Sequence, residues 1–143
     1  MKTITLLLIS FLSLCALKLT KSGPYVIDDT HKLMWQDNKD NIYLRMIQDK
    51  AIDYCEKLNL ANFTDWRLPT VKENKYIVDK TRRGKTKINK AFRYRMPDDY
   101  WLNDRTWVRN FGLYGYYINL TDGNAYYQNR TYKMFIRCVR DMK

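Results

Sequence analysis

Only two cysteines, Cys55 and Cys138, follow the apolar opening of this chain of 143 residues. A bridge between them closes a loop of about 80 residues and removes roughly 4–5 kcal/mol of unfolded-chain entropy. Such a bridge needs an oxidising compartment, and the N-terminus supplies a route to one. Met1-Lys2 is a short basic start, Ile4 to Leu17 is apolar apart from Thr5, Ser10 and Ser13, and Lys18 and Lys21 end the run. That run is too short to span a bilayer comfortably and matches the apolar region of a secretory signal peptide. We therefore expect residues 1–22 to be a leader and 23–143 one domain. Ala16 and Ser22 are both small enough to end the leader. A buried N-terminal helix is the alternative. Leu12-Ser13-Leu14-Cys15 is close to a lipoprotein box, but Leu14 is large where a small residue belongs, so a lipid anchor at Cys15 is the lesser reading. A free nucleophilic thiol is the alternative to the disulfide. It is disfavoured because the one histidine, His31, lies in a polar segment with no tie to either cysteine.

The remaining chain is read by periodicity. Tyr25-Val26-Ile27 and Leu33-Met34-Trp35 flank a polar turn and are expected to pair as a hairpin. Asp37 to Asn41 reads as a polar loop. Ile47, Ala51, Tyr54, Cys55 and Leu58 share one helical face, so a helix is expected over Ile47–Leu60 with Cys55 toward the core. Thr70 and Glu73 have the spacing of a capping box, predicting a second helix from Val71 to Lys80. From Tyr100 the chain reads as short strands at Tyr100–Leu102, Thr106–Arg109, Tyr116–Leu120, Asn124–Gln128 and Phe135–Val139. Asp122-Gly123 forms a hairpin signal between two of them. Helices first and antiparallel strands after make an α+β domain.

Charge is concentrated. The chain holds 26 Lys and Arg against 15 Asp and Glu. Removing Lys2, Lys18 and Lys21 with the leader leaves 23 cations against 15 acids, a net charge of +8. Eight of those cations, Lys80, Arg82, Arg83, Lys85, Lys87, Lys90, Arg93 and Arg95, lie in one stretch with no acid. We expect this stretch to be a long loop or mobile insertion. Uncompensated cations repel each other and attract polyanions, with arginine able to fork onto sulfate or phosphate oxygens. Phe92 and Tyr94 are interleaved and suited to stacking on sugar rings. The competing reading is a solvated loop that keeps the protein in solution.

An ordered set of segments carries a family likeness: Leu33-Met34-Trp35-Gln36, Ala51 to Leu58, Asp65-Trp66-Arg67-Leu68-Pro69-Thr70, Tyr100-Trp101, Asp122-Gly123 and Ile136-Arg137-Cys138-Val139-Arg140. Together they resemble the Lcl C-terminal domain family, named for the C-terminal domain of the Legionella collagen-like adhesin, over about residues 25–141. The resemblance implies a single exported bacterial domain of C-type-lectin-like fold with paired termini. It also implies binding of sulfated glycosaminoglycans and trimerisation, as in the named adhesin. His31-Lys32 stands where the family usually has glycine, and Leu102-Asn103-Asp104 where it has small hydroxyl residues. No collagen-like region precedes the domain in this sequence, and the basic stretch has no counterpart in the family pattern.

Other candidates are weighed against plainer roles. Trp35, Trp66 and Trp101 could be carbohydrate platforms, but large aromatics in apolar runs are more often core. Arg67 is expected to organise hydrogen bonds from a buried or half-buried position. Trp35, Trp66, Arg67, Pro69, Trp101, Asp122, Gly123 and Arg137 are thus structural motif residues. Tyr114, Tyr116, Tyr117, Tyr126, Tyr127 and Tyr132 crowd the last strands, and alternation forces some of them outward. They could serve sugar, protein or self-association contacts. Asp98, Asp99, Asn103 and Asp104 gather oxygen atoms suited to calcium, but the spacing departs from the lectin signature, so no metal and no cofactor are expected. Asn62, Asn119 and Asn129 open Asn-x-Thr sequons, relevant only in a glycosylating host.

The expected function is an exported binding module, in the periplasm, at the cell surface or secreted. It would hold acidic or sulfated polysaccharide through the basic stretch, with homo-oligomers possible. Nucleic acid fits the charge but not the export. An envelope assembly protein with a tyrosine-rich interface is the alternative. An enzyme on a formylglycine-generating-like fold is a further one, but it needs a reactive cysteine pair, so the chain is not expected to be an enzyme.

Overall fold

The computed structural model describes residues 18–143. Two antiparallel-rich sheets with three short helices around them share one core. The first sheet has the order β1-β2-β3-β9, from β1 (Leu19–Ser22), β2 (Tyr25–Asp28), β3 (Leu33–Gln36) and β9 (Val139–Asp141). It places the earliest and latest described strands in one layer. The second sheet runs β4-β8-β5-β6-β7, from β4 (Arg45–Met46), β8 (Met134–Phe135), β5 (Asp99–Val108), β6 (Gly112–Asn119) and β7 (Asn124–Asn129). The α+β class is as expected, though strands dominate.

The expected β2–β3 hairpin forms, with Val26 opposite Trp35 and Ile27 opposite Met34. The helix predicted over 47–60 is α2 (Gln48–Lys57), with Ala51 and Cys55 fully buried. Cys55 is bonded to Cys138, so the bridge ties α2 to the chain just before β9. Trp66, Leu68, Trp101 and Ile136 pack around it.

The structure departs from the sequence reading in four places. First, Leu19–Ser22, assigned above to the leader, is β1 and pairs residue for residue with β2. The rest of the expected leader, residues 1–17, and the lipid anchor at Cys15 lie outside the described residues. Second, the helix predicted from Val71 to Lys80 stops at Asn74: α3 is Val71–Asn74. The capping box is present, Thr70 Oγ1 accepting from Glu73 N at 3.1 Å and Glu73 Oε1 accepting from Thr70 N at 2.9 Å. What ends α3 is tertiary: the Ile77 carbonyl accepts from Asn89 N at 2.8 Å, and Val78 forms a bridge with Ile88. Third, the two strands predicted at 100–102 and 106–109 are one, β5, with an irregular register between Trp101 and Arg105. Fourth, the polar loop read at Asp37 to Asn41 runs into the one-turn helix α1 (Asp40–Tyr43), and Asp37 and Asn41 are fully buried.

Candidate functional site

The basic stretch is anchored at several points. Ile88 and Phe92 are fully buried in the main core cluster beside Val26, Trp35 and Leu120. Lys87 N donates to Leu120 O, and Asp79 N to Lys87 O, each at 2.7 Å. Three of the eight cations are spent on the loop itself. Arg82 Nη1 donates to Ile88 O and Lys87 Nζ to Arg82 O, both at 2.5 Å, and Arg95 Nη1 donates to Phe92 O. The other five, Lys80, Arg83, Lys85, Lys90 and Arg93, are exposed. The loop is therefore a fixed platform of cations on a short apolar keel, not the mobile insertion its composition suggests.

Phe92 is consequently not a ligand contact: it lies in the core under the Arg137 guanidinium, 4.7 Å from its ring centre. Tyr94 keeps part of its surface, with Arg93 and Lys21 over its ring at 5.6 and 5.4 Å. The end of the loop is held by Asp37. Its carboxylate accepts from Arg93 N and Tyr94 N, both at 2.9 Å, and pairs with Lys21 Nζ at 2.7 Å and Arg137 Nη1 at 3.2 Å. Burial pushes this carboxyl up. Arg137, Lys21 and the two backbone donors outweigh that and hold it below the ordinary carboxylate range. Sequence reading missed Asp37. A buried carboxylate and a solvated one look alike in a polar run.

Beside the loop lies a cleft of about 310 Å³. Val71, Val78, Ile118 and Ala125 make its apolar walls, while Lys75, Lys80 and Asn124 supply polar groups. Lys80 Nζ donates to Asn124 Oδ1 at 2.5 Å. Gly123 closes the β6–β7 turn at φ +77°, and a Cβ there would sit 2.8 Å from Val78 Cγ1. The glycine thus lets the turn pack onto the base of the basic loop. Asp122 accepts from Asn124 N at 2.8 Å and from Tyr126 Oη at 2.5 Å. Lys75 was not among the candidates read from sequence, since it lies outside the acid-free run.

The motif residues occupy structural positions. Trp35, Trp66 and Trp101 are buried, and Pro69 is too. Trp66 Nε1 donates to Phe63 O at 3.0 Å and Trp101 Nε1 to Met46 O at 2.8 Å. Arg67 is half-buried and forks onto Glu73 at 2.7 Å through both terminal nitrogens. That carboxylate raises the Arg67 pKa, an effect larger than the opposing burial. The oxygen-rich group separates. Asp104 Oδ2 accepts from Val71 N at 2.6 Å and Asp99 Oδ1 from Asn119 Nδ2 at 2.7 Å. Asp98 Oδ1 faces Arg45 at 3.9 Å. Among the described residues no three His, Cys, Asp or Glu side chains converge as a metal site would require.

The tyrosines divide between the two faces of the second sheet. Tyr127 meets Tyr114 and Tyr116 edge-on, with ring centres 6.2 and 5.9 Å apart. Tyr117 sits between Trp101 and Tyr126 on the other face. Tyr126, Tyr127 and Tyr132 remain exposed.

Among the described residues no helix is long and apolar enough to cross a membrane. No curated protein and no solved structure matches the chain. The family model of the Lcl C-terminal domain matches residues 24–140, from the turn before β2 into β9. The matched span holds the second sheet, β2 and β3 of the first sheet with most of β9, the disulfide and the basic loop, and leaves β1 outside: this chain belongs to the Lcl C-terminal domain family.

Proposed function

We propose that this chain is an exported, adhesin-related binding module that holds acidic or sulfated polysaccharide at the cell surface. The observation that carries the reading is the platform itself: five exposed cations fixed on one loop by Ile88 and Phe92, next to a cleft with apolar walls and two lysines. Fixed cations lose less conformational freedom on binding than a mobile loop does. An apolar wall beside ammonium groups suits a sugar ring carrying a sulfate or carboxylate. Export through a leader within residues 1–17 and a C-type-lectin-like ancestry are part of the same proposal. The shared sheet of early and late strands is consistent with that ancestry. An enzyme of the formylglycine-generating type is not proposed, because Cys55 and Cys138 are bonded to each other.

Heparin chromatography tests the reading. The wild-type protein is expected to elute at high salt. Arg83→Gln/Lys85→Gln/Lys90→Gln should elute much earlier, and Lys75→Gln/Lys80→Gln should weaken retention separately. Early elution of the wild type, or equal elution of all three, would falsify the proposal. A second reading, envelope assembly through the tyrosine-rich sheet, draws on the exposure of Tyr126, Tyr127 and Tyr132. Light scattering showing a strict monomer counts against it.

A further inference from the structure

The β5–β6 ribbon outruns its sheet. β6 pairs with β7 only as far as Tyr114 opposite Asn129, whereas β5 and β6 stay paired through Trp107–Leu113 and Val108–Gly112. Residues 107–113 therefore form a two-stranded finger beyond the edge of β7. Phe111 N donates to Val108 O at 3.0 Å and closes its turn. The finger ends in apolar side chains that face water: Trp107 is 74% exposed, Phe111 73% and Leu113 38%. Trp107 and Leu113 are direct cross-strand partners, so they lie on the same face. Burying none of these side chains is costly for a soluble protein, and such clusters mark contact sites.

The surroundings are cationic. Arg109 is exposed within the finger and makes no ion pair among the described residues. At the root, Arg105 and Arg130 share one acid, Asp49, at 2.7 and 2.8 Å, and Arg130 Nε also donates to Leu113 O at 3.1 Å. The finger thus presents Trp, Phe and Leu at its end with a net positive collar behind them.

We propose that this finger is a membrane-surface anchor that inserts its aromatic tip into the headgroup region of an anionic phospholipid bilayer. Shape and area favour a lipid surface over a protein. A two-stranded tip is convex rather than grooved. Its three apolar side chains offer roughly 400 Å², taking about 150–250 Å² for each aromatic ring. A stable protein interface takes about 800 Å² from each partner. A fluid interface demands no matching pocket. Trp is at home there, with its ring in the apolar boundary and its N–H wet. The arginine collar complements anionic headgroups. The proposal is independent of polysaccharide binding, which uses a different loop.

Trp107 is the one exposed tryptophan of the four, since Trp35, Trp66 and Trp101 are buried, and this makes it a direct reporter. The test mixes the protein with phosphatidylcholine vesicles that lack or contain phosphatidylglycerol. Expected are co-sedimentation with the anionic vesicles and a blue shift of tryptophan emission that Trp107→Phe abolishes. Phe111→Ser/Leu113→Ser should lower the vesicle-bound fraction about tenfold or more, with heparin elution and circular dichroism unchanged. Three outcomes overturn the proposal. One is binding without an emission shift. Another is binding that survives the double substitution but is lost in Arg83→Gln/Lys85→Gln/Lys90→Gln. The third is a concentration-dependent oligomer, seen by light scattering without lipid, that the double substitution dissolves, since that assigns the finger to a second copy of the chain.

Discussion

Asp37 joins three parts of the chain that are distant in sequence. It receives Lys21 from β1, Arg137 from the chain before β9, and the backbone of Arg93 and Tyr94 from the basic loop. Arg137 also donates to Gln36 O at 2.6 Å and to Tyr94 O. Removing one member of a buried pair leaves the other uncompensated, so Arg137→Met is expected to cost about 3–5 kcal/mol at neutral pH. The pH dependence follows from the carboxyl's lowered pKa. A carboxyl lowered on folding stabilises the fold above its ordinary value of about 3.9, and that contribution is lost as pH falls through the folded value. Urea unfolding of wild type and Arg137→Met should therefore differ most near neutrality, and the difference should begin to shrink as pH falls below about 4, down to the part due to the Gln36 and Tyr94 carbonyls. A difference that stays constant down to low pH contradicts the pairing. Arg137 was legible in the sequence as part of a motif. Asp37 was not, because its burial is decided by partners as distant as Arg137, and nothing in its own neighbours announces them.

At the scale of elements, legibility followed how local the deciding forces were. α2 was readable because Ala51, Tyr54 and Cys55 fall at helical spacing, and Ala51 and Cys55 are its buried apolar residues. The β2–β3 and β6–β7 hairpins were readable from their turns. α3 was only half readable: the capping box fixes its start, but its end depends on hydrogen bonds from Asn89 and the Val78–Ile88 bridge. The basic stretch was legible as a charge feature and not as a structure, since Ile88 and Phe92 are isolated apolar residues with no periodic pattern. The packing of α2 on the second sheet was also hidden. It relies on Gln48, whose Nε2 donates to Leu102 O at 2.8 Å while its side chain lies over Gly115. A Cβ at 115 would meet Gln48 side-chain atoms at 2.6 Å. Displacing Gln48 leaves buried polar groups unpaired, so Gly115→Ala is expected to lose about 1–3 kcal/mol. Thermal or urea unfolding measures this. A pairing of Gly115→Ala with Gln48→Ala that restores part of the loss locates the clash.

For the molecule as a whole, the excess of positive charge and the position of the N-terminus are linked. Reading residues 1–22 as a leader removes Lys18 and Lys21 and leaves a net charge of +8. The fold makes the opposite demand on the same residues. Leu19 packs against the main core cluster, Thr20 and Lys21 pair with Ile27 and Val26, and Lys21 neutralises the buried Asp37. A leader that ended at Ser22 would remove a sheet strand from every exported molecule. One that ended at Ala16, the other small residue at the boundary, keeps β1 whole and raises the exported net charge to +10, since only Lys2 is lost. The intact mass of the exported protein is therefore expected to correspond to a start at or before Lys18. Two shortened chains supply the energetic check. A chain beginning at Gly23 should unfold at lower urea than one beginning at Lys18, by about 2 kcal/mol for the half-buried leucine and the lost ion pair. Equal stability together with a native start at Gly23 would show that β1 is dispensable and restore the original boundary.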